Sequence, residues 1–214
     1  MCKLSRIEGC YRRHNAGRIV QGDILKDIMF IEWDTSNSDP NDITFIKNKL
    51  VYAVILSQDC DLDHDFKNRN NHNAEKQDAY LQSILVCPAY LKEVFKAGDH
   101  LKGQQDARDE SFDVPQGFDL QMEPKGGDNW KKILKNLDPR YHSLQGDPQF
   151  QVPDLIIDFK HYYALPVTYL YKIYESHHDL HYVASLEELF RESLCQRFSF
   201  YLSRIGLPEI KKGA

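Results

Sequence analysis

Gln58-Asp59-Cys60-Asp61-Leu62, with His64 two residues further on, gathers a thiol, an imidazole and alternating carboxylates into one short stretch. As a nucleophile, Cys60 needs its thiol pKa lowered by a histidine or a helix start, and the two adjacent carboxylates push it the other way. A hydrolase here therefore requires a base from elsewhere in the chain. His161 is the candidate, with Asp158 to orient it, giving Cys60, His161 and Asp158 as the catalytic set. Cys60, His64, Cys87 and His161 are also the residue types that bind zinc, although their spacing matches no known module, and the main reading carries no cofactor. Asp59, Asp61 and Asp63 alternate as oxygen ligands for Mg²⁺ or Ca²⁺, without the glycine that a calcium loop needs. Beside these stands a purely structural reading: a turn whose Asp59 and Asp61 side chains satisfy backbone N–H groups while Cys60 packs inward.

Other polar residues offer binding chemistry. Arg140-Tyr141-His142 follows Pro139, and an exposed Arg among aromatics can stack on a base or grip phosphate, although the expectation is a tyrosine that covers the core with its neighbours solvated. Arg191, Arg197 and Arg204 recur at spacings that share roughly one face of a C-terminal helix. Together Gln58, Asp59, Asp61, Arg140, His142, Arg197 and Arg204 form the candidate binding set. Arg12, Arg13, His14 and Arg18 form a basic cluster whose functional reading is contact with phosphate; the expectation is a solvated approach to the first strand. His177, His178 and His181 are expected in a hairpin turn.

These groups need elements to hold them. Tyr52–Leu56 is a short apolar run rich in β-branched and aromatic residues, which predicts a strand buried on both faces. Ile19–Trp33 predicts a bent strand or hairpin turning at Gly22-Asp23. Asp34–Asp42 and the Asn-rich Asp63–Asp78 predict loops. Tyr80–Cys87 predicts a strand stopped by Pro88, Ala89–Lys96 a short helix, and 97–128 an irregular insertion. Trp130–Leu137 predicts a helix ended by Pro139, Asp154–Pro166 a strand, and Tyr169–Tyr174 its continuation. Over 185–206 Ser185 stands as cap and Glu188 as its capping-box partner, ahead of apolar residues at helical spacing closed by Gly206 and Pro208. The sum is a single domain, mainly β with α additions (α+β): a small antiparallel barrel or strongly bent sheet over 19–96 and 154–184, plus a long C-terminal helix.

Composition agrees with a folded chain. Of 214 residues, 42% are hydrophobic and 12% aromatic, outside the disordered range. Lys and Arg number 27 against 32 Asp and Glu, a net charge of −5, so the surface as a whole is no nucleic-acid magnet. Five cysteines without a C-x-x-C pair argue for free thiols, Cys87 as a core residue and Cys2, Cys10 and Cys195 without a role. With no signal peptide or spanning run in the sequence, a cytoplasmic protein without membrane contact is expected.

Gly22-Asp23-Ile24, then Val54-Ile55-Leu56-Ser57, then Ile84-Leu85-Val86-Cys87-Pro88 resembles the core of the MazF/PemK toxins over about the first hundred residues. The resemblance implies an SH3-like barrel. Those toxins cut RNA with an arginine before the second apolar strand and a threonine opening the third. Here Lys49-Leu50-Val51 and Leu81-Gln82-Ser83 stand in those places. Gln58–Leu62, Asp158–Tyr162 and Arg197–Pro208 are similar to segments of uncharacterised bacterial proteins. What the resemblance implies is a binding or regulatory component of a bacterial stress or antiviral defence system, partnered by a protein of that system or by nucleic acid. The alternatives are an enzyme, ribonuclease-like or a Cys/His hydrolase at Cys60 and His161, and a zinc-binding structural protein.

Overall fold

The computed structural model describes residues 9–14, 17–34, 44–69, 71, 77–101 and 122–204. Its strands are β1 (Tyr11–Arg12), β2 (Asp23–Asp34), β3 (Thr44–Ile55), β4 (Ser83–Leu91), β5 (Tyr141–Leu144), β6 (Leu155–Asp158), β7 (Tyr163–Pro166) and β8 (Tyr182–Leu186). Its helices are α1 (Asp59–Arg69), α2 (Lys92–Ala97), α3 (Gly127–Leu134), α4 (Val167–Ser176), α5 (His178–His181) and α6 (Glu188–Leu202). The strands form one antiparallel sheet in the order β1-β8-β2-β3-β4-β6-β5, with β7 also on β4. A mainly β, α+β chain is what forms. The sheet does not close, because β1 and β5 end the ladder without pairing to each other, which corrects the expected barrel.

Helices cover both faces instead. Along β3 successive side chains point to opposite sides. Val54 and Leu56 pack in one core with Leu194 and Phe198 of α6. Ala53 and Ile55 pack in another with Leu62 of α1 and Leu170 and Ile173 of α4. A smaller core joins Ile156 and Tyr141 to Phe95 of α2 and Ile133 of α3. Of the predicted Tyr52–Leu56 run, Ala53–Leu56 are buried and Tyr52 is half-buried, and the strand is longer than expected, running from Thr44 to Ile55. Each fully buried Leu or Phe among them is worth about 1.5–3 kcal/mol, so the helices are held by the sheet they cover.

Four of the differences from expectation have a local reason. Asp63–Arg69 is helical, not loop: Asp59 and Asp61 sit in the first turn and Lys67 and Arg69 in the last, where the helix dipole favours them. Asp63–Lys67 and Asp65–Arg69 add i,i+4 ion pairs at 2.5 and 2.7 Å. Tyr169–Tyr174 is also helix. Val167, Leu170, Ile173 and Tyr174 are its buried residues, a helical spacing that the density of tyrosines concealed. The strand at Pro88 continues to Leu91, because its neighbour is bulged there: the β4 pairing runs from Ala89↔Ile157 to Val86↔Tyr163, leaving three extra residues on the β6–β7 side. No partner on that side has to receive the N–H that proline lacks. Ser185 lies in β8, so the last helix begins at Glu188 and Ser185 is no cap.

The expected helix at Trp130–Leu137 forms one turn earlier, and that at Ala89–Lys96 starts at Lys92. His178–His181 is a helical turn and not a hairpin turn. Most of the 97–128 insertion and the Gly206–Pro208 stop lie outside the described residues. No helix among the described residues is long and apolar enough to cross a membrane.

Candidate functional site

Two polar constellations are built into the sheet, and a third borders it. At the bulge between β6 and β7, Asp158 is fully buried and receives a two-pronged contact from Arg140, Nε at 2.8 Å and Nη2 at 2.5 Å. The backbone N–H of Lys160 donates to it at 3.0 Å, and His161 Nε2 lies 3.7 Å away. The buried Cys87 thiol donates to the carbonyls of Asp158 and His161 at 3.3 and 3.2 Å, and burial raises its pKa well above the usual thiol value. Burial lowers the His161 pKa, against the pull of Asp158. The Arg140 fork is thus spent on pinning a bulge rather than offered to phosphate. His142 is buried as well, beneath the surface that a ligand would reach.

Cys60 is elsewhere. It sits exposed at the start of α1, its thiol 3.6 Å from Gln58 Oε1 and 3.7 Å from Asp61 Oδ1. Gln58 and Asp61 are likewise exposed. Asp59 is held by Arg18 at 3.0 Å, by the Gln21 N–H at 3.3 Å and by Arg191 at 3.7 Å, and Asp63 by Arg18 at 3.2 Å. So Asp59 and Asp63 anchor the entry of β2 to α1, and Asp61 takes no part. No interaction among the described residues joins Cys60 to His161, and the geometry gives that proposed pair no support. His64 is exposed on α1, and among the described residues no group of three His, Cys, Asp or Glu is arranged to hold a metal ion.

Arg197 and Arg204, read as a binding stripe, have different tasks. Arg197 donates to three main-chain carbonyls, Asn136 at 2.5 Å and Asp138 and Tyr141 at 2.7 Å, clamping α6 to the α3–β5 connection. Arg204 is exposed and folds over Tyr201, its guanidinium 4.4 Å from the ring. Arg197→Ala strands three carbonyls and should lower stability by about 2–3 kcal/mol, measured by urea unfolding. Arg204→Ala should shift it by less than about 0.5 kcal/mol.

The second constellation is centred on Asp23, at the turn where Gly22 takes φ 85° and β2 begins. Its side chain is wholly buried and accepts from the Val20 N–H at 2.8 Å, from His14 Nε2 at 2.9 Å, and from the hydroxyls of Tyr174 and Ser185. A carboxylate has about four acceptor sites, and four donors fill them. Tyr182 extends the network: its hydroxyl lies 2.9 Å from Ser185 Oγ and accepts from the His14 N–H at 3.3 Å. Burial, ahead of the effect of Asp23, drives the Tyr174 pKa well above the ordinary tyrosine value.

Above this network opens a cavity of about 580 Å³, lined by Arg13, His14, Lys26, Tyr52, Gln151, His178, Asp179, Tyr182 and Val183. His178 stacks on the Tyr182 ring at 4.4 Å and 18°, and His14 meets the same ring edge-on at 5.1 Å. His181 Nδ1 lies 2.9 Å from the Lys26 carbonyl and ties α5 to β2, so both walls are fixed. Among the described residues no carboxylate pairs with Arg13 or Lys26, and the one acidic lining residue, Asp179, extends fully into solvent beside His178. Of the basic N-terminal cluster, Arg13 and His14 face this cavity and Arg18 does not. Asp23 was legible only as a turn residue; an Asp entering an apolar strand directly after Gly was the available sign that its partners would be internal.

Comparison with family models, curated proteins and solved structures finds no match to this chain.

Proposed function

We propose that this chain is a binding component of a bacterial stress or antiviral defence system, acting in the cytoplasm, and that the cavity above Asp23 is where it holds a nucleic-acid partner. One observation carries the reading: two cationic side chains, two histidines and two tyrosines converge on a single concavity with one solvated carboxylate. Cations hold phosphate and aromatic faces hold bases. The net negative charge of the whole chain makes that local basic surface selective in place. The toxin-like order of Gly22-Asp23-Ile24, Val54–Ser57 and Ile84–Pro88 supports the defence assignment, and Lys49-Leu50-Val51 and Leu81-Gln82-Ser83 in place of the toxin's arginine and threonine support binding over cleavage. The open ladder counts against a closed toxin-type barrel. The Cys60 and His161 hydrolase keeps only its sequence motif as support, and elemental analysis tests the zinc reading.

Fluorescence anisotropy with labelled single-stranded RNA and DNA at low salt tests the proposal. Binding should weaken linearly in log–log form as salt rises, and Lys26→Ala or Arg13→Ala should each weaken it about tenfold and reduce the slope by about one. A protein that binds neither strand at low salt is not the component proposed.

A further inference from the structure

The cavity is too small for a duplex, which restricts what part of a nucleic acid it can receive. Its volume of about 580 Å³ lies within the roughly 300–1,000 Å³ typical of small-ligand pockets. Arg13 and Lys26 reach one concavity, two cations that no carboxylate pairs with among the described residues, against the single negative charge of a phosphodiester. A terminal phosphate carries about −1.5 to −2 charge at neutral pH and three strong acceptor oxygens. His178 Nε2 is a buried nitrogen with no hydrogen-bond partner, on a ring that lines the cavity. Its other nitrogen, Nδ1, lies 3.6 Å from Asp179, so the ring shapes the wall of the cavity while Arg13 and Lys26 supply its charge. Asp23 holds the His14 ring from below at 2.9 Å, so this part of the cavity floor is set before any ligand arrives. Tyr182 is occupied by the two histidines, whereas Tyr52, half-buried on β3 directly across from Lys26 of β2, borders the same cavity.

The geometry points to a site for a nucleoside phosphomonoester, its phosphate between Arg13 and Lys26 and its base against Tyr52. This rests on the nucleic-acid reading of the same cavity and narrows it to one nucleotide carrying a terminal phosphate. Such a group comes either from a free mononucleotide or from the end of a strand.

Calorimetric titration of the full chain with adenosine 5′-monophosphate, adenosine and inorganic phosphate, and anisotropy with one RNA decamer bearing a 5′-phosphate or a 5′-hydroxyl, test it together. The monophosphate should bind at least about thirtyfold tighter than adenosine, given the strength of charge-assisted bonds to phosphate. Lys26→Met, which keeps the side-chain bulk, and Arg13→Met should each cost about tenfold, while Lys132→Met on the exposed side of α3 leaves affinity unchanged. A 5′-phosphorylated decamer preferred by about tenfold over its hydroxyl counterpart identifies the strand end as the source. Monophosphate binding without that preference identifies the free nucleotide. If both decamers bind alike and the monophosphate binds no better than adenosine, the phosphomonoester site is wrong and strand binding stands. If no strand and no nucleotide binds, both readings fall.

Discussion

Asp23→Ala is expected to cost about 4 kcal/mol of stability, because truncation strands donors that have nowhere else to go. Val20 N–H, Tyr174 O–H and Ser185 O–H all end on this carboxylate in a fully buried position, and His14 approaches from the cavity side. At this chain length about 2–4 °C is lost per kcal/mol, so the melting temperature should fall by about 10 °C. Tyr174→Phe and Ser185→Ala, each removing one donor and leaving the charge, should cost about 1–2 kcal/mol. Combining Asp23→Ala with Ser185→Ala should give less than the sum of the two, since the partners share one network. A drop under 2 °C for Asp23→Ala would show that water or another group replaces the carboxylate, and the rigid floor of the cavity would be lost as an argument.

Acid should unfold this protein early, through histidines as well as carboxylates. Burial lowers the pKa of His142 to about 3, with Arg197 adding to the effect, and lowers that of His100 to about 4. Nδ1 of each ring is buried without a hydrogen-bond partner. Both are neutral in the folded state and take protons near pH 6.5 when unfolded. Their stabilising effect is therefore complete above about pH 6.5 and is lost as the pH falls below it, at about 1.4 kcal/mol per pH unit for each histidine. The loss from His100 levels off near pH 4, and that from His142 near pH 3. His161 acts in the same direction. Glu32, whose pKa burial raises, opposes them. Asp154, lowered first by its bond from Lys92, stabilises the fold above its ordinary value and loses that effect only as the pH falls below it. Urea unfolding between pH 7.5 and 4.5 reads the slope, and His142→Phe should remove about one proton's worth of it. A slope unchanged by that substitution would mean that His142 becomes protonated inside the fold.

The C-terminal helix, the central strand over Ala53–Leu56 and the α+β class were legible in the residues, because each rests on periodicity within one segment. The aspartate-rich helix α1 was not. It buries only Leu62 and Asp65, so its apolar pattern is nearly silent, and its support comes from charge order along the axis. The tyrosines of α4 carried two signals at once, strand propensity and helical spacing, and packing against β2 and β3 decided for the helix. Pro88 was read by its own missing donor, when the deciding fact was a bulge on a strand some seventy residues further along the chain.

The candidate site divides in the same way. Sequence by itself determined which residues are available: a carboxylate after Gly22, a basic cluster at Arg12–Arg18, a cluster of histidines at 177–181. Only the tertiary structure decided that His14 and Ser185 meet at Asp23, that Arg18 and Arg140 are consumed by carboxylates, and that Cys60 and His161 have separate partners. The physical reason is that periodicity and propensity act along the chain, whereas the burial of a charge must be answered by whichever donors the fold brings near, and those here stand up to 162 residues apart.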